Sequence, residues 1–141
     1  MTILEMCDSD AATVSVDATT EQAIKTMLDR RVGAVAVVDE NQRVAGIFTE
    51  RDVLRRLSLS ERKPGETLVR EVMTTPVEMA TLDTSPSEAL ATMVERHYRH
   101  LPIVDDDGRL LGMLSIRNVL QARVDTLTRQ LDEARTLRVV R

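Results

Sequence analysis

Tryptophan is absent from the 141 residues, Phe48 and Tyr98 are the only aromatic side chains, and Cys7 is the only cysteine. The lone thiol excludes an intrachain disulfide, and no Cys or His stands at metal-ligand spacing around it. Two aromatics cannot build a stacking platform for single-stranded nucleic acid, so any bound base must be gripped by aliphatic side chains. An excess of basic residues is missing too. The 23 acidic residues outnumber the 19 Lys and Arg for a net charge of −4, which argues against sequence-independent nucleic-acid binding while leaving room for a local basic pocket. No apolar run nears the roughly 20 residues that span a bilayer. Met1-Thr2-Ile3-Leu4-Glu5-Met6 has neither the basic segment nor the apolar core of a secretory signal, so a cytoplasmic protein without a membrane partner is expected. No Ser-His-Asp set, activated cysteine, Walker loop or dinucleotide fingerprint occurs, and catalysis is not expected. His97 and His100 are spaced i, i+3, but two ligands without a nearby third do not make a metal site.

What is present is a repeat. With 43% hydrophobic and 30% charged residues the chain reads as globular, either one domain or two small ones sharing a core. Shifted by 66 without a gap, residues 17–54 match 83–120 at Asp17/Asp83, Ala23/Ala89, Thr26/Thr92, Met27/Met93, Arg30/Arg96, Val38/Val104, Asp39/Asp105, Arg43/Arg109, Gly46/Gly112, Arg51/Arg117, Val53/Val119 and Leu54/Leu120. Other pairs keep their character, among them Ile24/Leu90, Val37/Ile103 and Thr49/Ser115.

Each copy opens with a capping box, Thr19-Thr20-Glu21-Gln22 and Ser85-Pro86-Ser87-Glu88, with Pro86 at the first helical position where its missing N–H costs nothing. Ala23, Ile24, Met27 and Leu28, and again Ala89, Leu90, Met93 and Val94, predict one buried helix face. Ala34–Val38 and Leu101–Val104 are short continuous apolar runs, read as buried strands. Asp39–Gln42 and Asp105–Gly108 predict turns, after which Arg43–Phe48 and Arg109–Leu114 return as second strands. The resulting division is 1–57 for the first repeat, 58–67 for a polar connector carrying Pro64-Gly65, 68–122 for the second repeat and 123–141 for an amphipathic extension. Neither half is large enough to bury both faces of its sheet, so the two are expected to pack about a pseudo-twofold axis. In the last segment Leu120, Val124, Leu127, Leu131 and Ala134 form an apolar seam at heptad spacing, suited to the chain's own surface or to a second copy.

The informative stretch is Gly46-Ile47-Phe48-Thr49-Glu50-Arg51-Asp52-Val53-Leu54, repeated as Gly112-Met113-Leu114-Ser115-Ile116-Arg117-Asn118-Val119-Leu120. A strand running into a hydroxyl-capped helix points free N–H groups and a hydroxyl at one spot, where a phosphate or a ribose can sit. An ionised Asp52 can accept both hydroxyls of a ribose diol, whereas Asn118 keeps an acceptor and loses the charge. Thr49 with Asp52 is equally a plain capping pair. Arg51 and Arg117, on the first turn, are placed to meet phosphate oxygens or simply to be solvated.

These motifs, with His100-Leu101-Pro102-Ile103-Val104-Asp105, resemble the cystathionine-β-synthase (CBS) domain family as a tandem pair covering about residues 1–122. The resemblance implies an α/β fold of two β-α-β-β-α repeats about a pseudo-twofold axis, with the long carboxy-terminal helix added. It implies two clefts for adenosine-containing regulatory ligands (AMP, ADP, ATP or S-adenosylmethionine), a disk-like homodimer, and an unidentified protein target. The expected ligand-binding residues are then Gly46, Ile47, Thr49, Arg51 and Asp52 in the first copy and Gly112, Met113, Ser115, Arg117 and Asn118 in the second. Arg99 and His100 are expected against phosphates, where the first copy has the uncharged Gly33 and Ala34. Val14, Ala34, Val35, Ile47, Ala80, Leu101 and Met113 are expected around a base, with Pro102 in the family's place. Asn118 implies a second cleft that binds more weakly, takes another ligand or stays empty. The competing reading is a ligand-independent dimeric scaffold.

Overall fold

The computed structural model describes the backbone of residues 1–140 and the side chains of residues 1–136. Residue 141, the end of the expected extension, lies outside them. The elements are α1 (Ile3–Met6), β1 (Thr13–Ser15), α2 (Thr20–Arg30), β2 (Ala34–Val38), β3 (Val44–Thr49), α3 (Glu50–Asp52) running into a π-helical segment (Val53–Leu57), α4 (Val69–Val72), α5 (Pro86–Arg96), β4 (His100–Val104), β5 (Leu110–Ser115) and α6 (Ile116–Val140). In the first repeat β1 pairs parallel to β2 and β2 antiparallel to β3, while the second has β4 and β5 antiparallel.

Both predicted capping boxes form, with Thr19 accepting from the Gln22 N–H and Ser85 from the Glu88 N–H. They start α2 and α5 where the sequence places them. Both helices stop at a left-handed residue, Arg31 at φ 55° and His97 at φ 60°. The predicted apolar face is narrower than expected. Ala23, Met27, Ala89 and Met93 are buried, but Leu28 is 70% and Val94 58% exposed, because two short strands cover only the centre of the stripe.

The third strand of the second repeat is reduced to one parallel bridge, Ala80 to Ile103. The cause is Pro102. Its counterpart Ala36 donates its N–H to the Ala12 carbonyl at 3.1 Å and so anchors β1, and proline has no N–H to give.

Reciprocal contacts establish the pseudo-twofold axis. Val44 N–H donates to the Gly108 carbonyl and Leu110 N–H to the Gln42 carbonyl, both at 3.1 Å, so the two hairpin turns meet with Arg43 opposite Arg109. Thr74 pairs with Ile47 of β3, and Asp8 with Met113 of β5. Each segment therefore leaves its own repeat: α1 packs on β5 and α6 of the second repeat, and α4 on α2 and β3 of the first. Val69 and Val72 are buried in the first repeat's core, Ile3 in the second's. Burying one such side chain contributes about 1.5–3 kcal/mol, so the exchange fastens the halves through apolar burial as well as hydrogen bonds. A third cluster of Ala34, Ala36, Val38, Ile47 and Met113 fills the space between the two sheets.

Beyond the second repeat, α6 runs on as a single helix. Its predicted seam exists, but Leu120, Val124, Leu127 and Leu131 are each more than half exposed.

Candidate functional site

The exchange brings the first turn of α3 against the end of α5. Glu50 N–H donates to the Gly33 carbonyl at 3.0 Å, and Arg51 Nη1 donates to the His97 carbonyl at 2.8 Å. A Cβ on Gly33 would lie 3.1 Å from Glu50 Oε1 and 3.3 Å from His100 Cε1, so a larger residue there would press these side chains aside by a few tenths of an ångström. Corner one thus gathers Thr49, Glu50, Arg51 and Asp52 from the first repeat with the His97 carbonyl and His100 from the second. Arg51 ties the two repeats together by satisfying a carbonyl at a helix end.

Asp52 is 4% exposed and sits within a network. Its Oδ2 accepts from the Thr49 N–H at 3.0 Å and the Thr49 hydroxyl at 3.3 Å, and its Oδ1 accepts from the Thr74 hydroxyl at 2.9 Å. Arg56 Nε lies 3.8 Å from the same Oδ1, and its Nη1 donates to the Val72 and Met73 carbonyls. The capping box read from the sequence is therefore real, and the carboxylate is not an open acceptor. A ribose diol at this corner must take the place of Thr74 or Arg56.

Corner two repeats the backbone with other chemistry. Asn118 Oδ1 accepts from the Ser115 N–H at 3.2 Å and the Ser115 hydroxyl at 2.5 Å, while Asn118 N–H donates to Ser115 Oγ at 3.0 Å. Among the described residues the Asn118 amide nitrogen has no hydrogen-bond partner. Ala122 stands where the first copy has Arg56, Ile116 where it has Glu50, and Gly33 and Ala34 where the other corner has Arg99 and His100. Arg117 is exposed.

His100 begins β4 opposite Ser115, as Ala34 begins β2 opposite Thr49. Burial pushes its imidazole below the usual range; Glu50 pulls the other way and Arg99 adds to the lowering. Cys7 is pushed up, first by burial and then by the charge of Asp8, so its thiol stays protonated and inert.

The motif glycines have a packing cause. A Cβ on Gly46 would collide with the Met73 thioether, and one on Gly112 would meet Cys7 Sγ at 2.5 Å and the Asp8 carbonyl at 3.0 Å. Each glycine makes room for the segment arriving from the other repeat. The residues expected around a base divide by strand face. Ala34, Ile47 and Met113 meet in the cluster between the sheets, whereas Val14, Val35, Ala80 and Leu101 point into the cores under the helices. Pro102 is fully buried. Four groups that touch the corners escaped the sequence reading: Glu50, Arg56, Thr74 and Asp8. Comparing residues 3–16 with 69–82 at the same offset of 66 would have paired Asp8 with Thr74 and shown them as one position.

The family model for the CBS domain matches twice, at residues 3–59 and 69–125. Among curated relatives, an uncharacterized protein of Methanopyrus kandleri is 33% identical over 83% of this chain and 60% of its own length. The mitochondrial CBS domain-containing protein CBSX3 of Arabidopsis thaliana is 37% identical over 78% of this chain and 55% of its own. The chain thus spans little more than half of either relative. Among solved structures, a CBS-domain-containing protein from Agrobacterium tumefaciens is 30% identical with a TM-score of 0.76, covering 86% of this chain and 90% of that one. CBSX2 in complex with AMP has a TM-score of 0.78 at 22% identity, covering 89% and 97%, a likeness of fold. Two matching repeats, each with its leading helix lodged in the other, place this chain in the CBS domain family as a tandem pair.

Proposed function

We propose that this CBS pair is a non-catalytic cytoplasmic sensor that reversibly binds an adenosine-containing ligand and acts as a homodimer. The observation that carries the reading is corner one. There a hydroxyl and a carboxylate suited to a ribose adjoin Arg51 and His100, which with Arg99 next to His100 in the chain suit phosphates. The shared fold with an AMP complex supports an adenine nucleotide, and S-adenosylmethionine fits the same description of a ribose beside a hydrophobic base. Because Thr74 and Arg56 hold Asp52, a ligand that claims the carboxylate loosens their grip on the α4 segment, whose Val72 and Met73 carbonyls Arg56 also binds. Occupancy is transmitted in this way to the exchange that joins the two halves.

Thermal unfolding tests the reading. A ligand at about 100 times its dissociation constant stabilises by roughly 2.7 kcal/mol, a rise of several degrees for a chain of this size. AMP, ADP, ATP or S-adenosylmethionine should produce that rise; no rise with any of them or with NADH overturns the sensor.

A second reading, a dimeric scaffold independent of ligand, is favoured by the exposed apolar positions. Leu28 and Val94, and Leu54 and Leu120, are equivalent pairs left uncovered, and the row continues along α6 as Val124, Leu127 and Leu131. Removing residues 123–141 separates the two. Loss of the dimer with nucleotide binding intact assigns α6 to assembly, and loss of binding as well ties the helix to sensing.

A further inference from the structure

The residue that most distinguishes the corners is not on either helix. In corner one the hydroxyl of Thr74, on the arriving segment, donates to Asp52 at 2.9 Å. The matching residue of corner two is Asp8. Its backbone is paired to Met113 by two hydrogen bonds of 3.1 Å, as Thr74 is paired to Ile47 at 2.8 and 3.1 Å. The preceding residues match too: Cys7 lies over Gly112 as Met73 lies over Gly46. Asp8 therefore stands to the Ser115–Asn118 turn as Thr74 stands to the Thr49–Asp52 turn. Beside Glu50, corner one carries its carboxylate on the helix, where the Thr74 hydroxyl reaches it; corner two carries Asp8 on the arriving segment and Asn118 on the helix.

The two carboxylates also differ in what occupies them. Asp52 is buried and held by Thr49, Thr74 and Arg56. Asp8 is exposed, and of its two oxygens Oδ1 accepts only the Asp10 N–H at 3.0 Å. Asp10, two residues on, pairs with Arg30. Among the described residues Asp8 Oδ2 holds no protein donor, so a ligand can contact that oxygen without displacing one.

We infer that Asp8 is the ribose-binding carboxylate of the second cleft, with the Asn118 amide as its donor-bearing companion, so that this cleft takes an adenosyl ligand despite lacking an acid on its helix. The inference rests on the adenosyl reading of the corners and adds the residue on which second-site binding depends. The loss of charge at Asn118 is offset by the charge at Asp8, and the second site is not a weakened copy of the first.

Calorimetric titration of the full chain with AMP, comparing wild type, Asp8→Asn, Asp52→Asn and the double variant, tests this. The expected result is two AMP per wild-type chain, with Asp8→Asn weakening one event by about 10- to 100-fold, as loss of a charge-assisted hydrogen bond does, and leaving the other unchanged. Asp52→Asn should weaken the other event, the double variant both, and 2′-deoxy-AMP should bind poorly at each. A two-site isotherm unchanged by Asp8→Asn overturns the inference, as does a single AMP site indifferent to it; in both cases the sensor reading survives. Wild type that binds none of AMP, ADP, ATP and S-adenosylmethionine removes the sensor reading itself.

Discussion

The two corners share a backbone to the level of individual hydrogen bonds and differ in nearly every polar side chain that faces them. Glu50 N–H to the Gly33 carbonyl is answered by Ile116 N–H to the Arg99 carbonyl, and Ile47 with Thr74 by Met113 with Asp8. The side chains at those positions do not correspond in charge. Asp52 with Arg56 becomes Asn118 with Ala122, and the uncharged Gly33 and Ala34 become Arg99 and His100. Keeping the path while changing the chemistry is cheap, because the backbone is fixed mainly by buried aliphatics and by the clearances at Gly46 and Gly112, which serve Met73 and Cys7. One module can therefore hold two sites of different preference.

The strongest way to break the comparison is to remove the acid from the first helix. Asp52→Ala leaves the half-buried Thr49 N–H and Thr74 hydroxyl without their acceptor and should cost about 2–3 kcal/mol, read as a lower denaturation midpoint. It should also weaken nucleotide binding at corner one by at least about 30-fold. Asn118→Ala should cost about 1 kcal/mol and touch only the second event. Equal losses from the two variants would mean that the corners are not chemically distinct.

Next in size are the glycines. Gly112→Ala drives a methyl onto Cys7 Sγ and the Asp8 carbonyl, and a short side chain and a backbone atom cannot step aside; about 2–3 kcal/mol should be lost. Gly46→Ala meets the Met73 side chain from Cγ outward, which can change rotamer, and should cost about 1 kcal/mol. Reversal of that order in urea unfolding would show that the two exchanged segments are not packed as described.

The smallest effect sharpens the contrast by pH. Folded His100 binds its proton less readily than in the unfolded chain, so between its lowered value and about 6.5 the unfolded state holds more protons, and stability falls as pH falls through that window. A phosphate beside the imidazole favours the protonated form. AMP binding at corner one should therefore tighten a few-fold from about pH 7.5 to pH 5.5, against the opposing bias of Arg99 and with the help of Glu50. Corner two, with Ala34 in this place, should not respond, and His100→Ala should flatten the profile.

Much of this was legible before any coordinates. The 66-residue repeat, both capping boxes, the strand pairs and the strand-to-helix turns follow from periodicity and from residue types with narrow conformational uses, such as Pro86 at a first helical position. The exchange of α1 and α4 was not legible. Four-residue helices carry no periodic signal, and nothing in Ile3 or Val69 says which of two equivalent cores will receive it. For the same reason the clearance that Gly46 and Gly112 give to Met73 and Cys7, side chains distant along the chain, has no local signature. Arg51 looked free because its acceptor, the His97 carbonyl, belongs to the other repeat.

The sequence by itself determined the family, the doubled strand-to-helix turn, and that one turn ends in Asp52 and the other in Asn118, since these rest on local spacing and capping chemistry. Only the tertiary structure decided which side chains face those turns. Thr74 and Asp8 reach them because each leading segment buries its apolar residues in the opposite core, a choice made by long-range packing that no local pattern encodes.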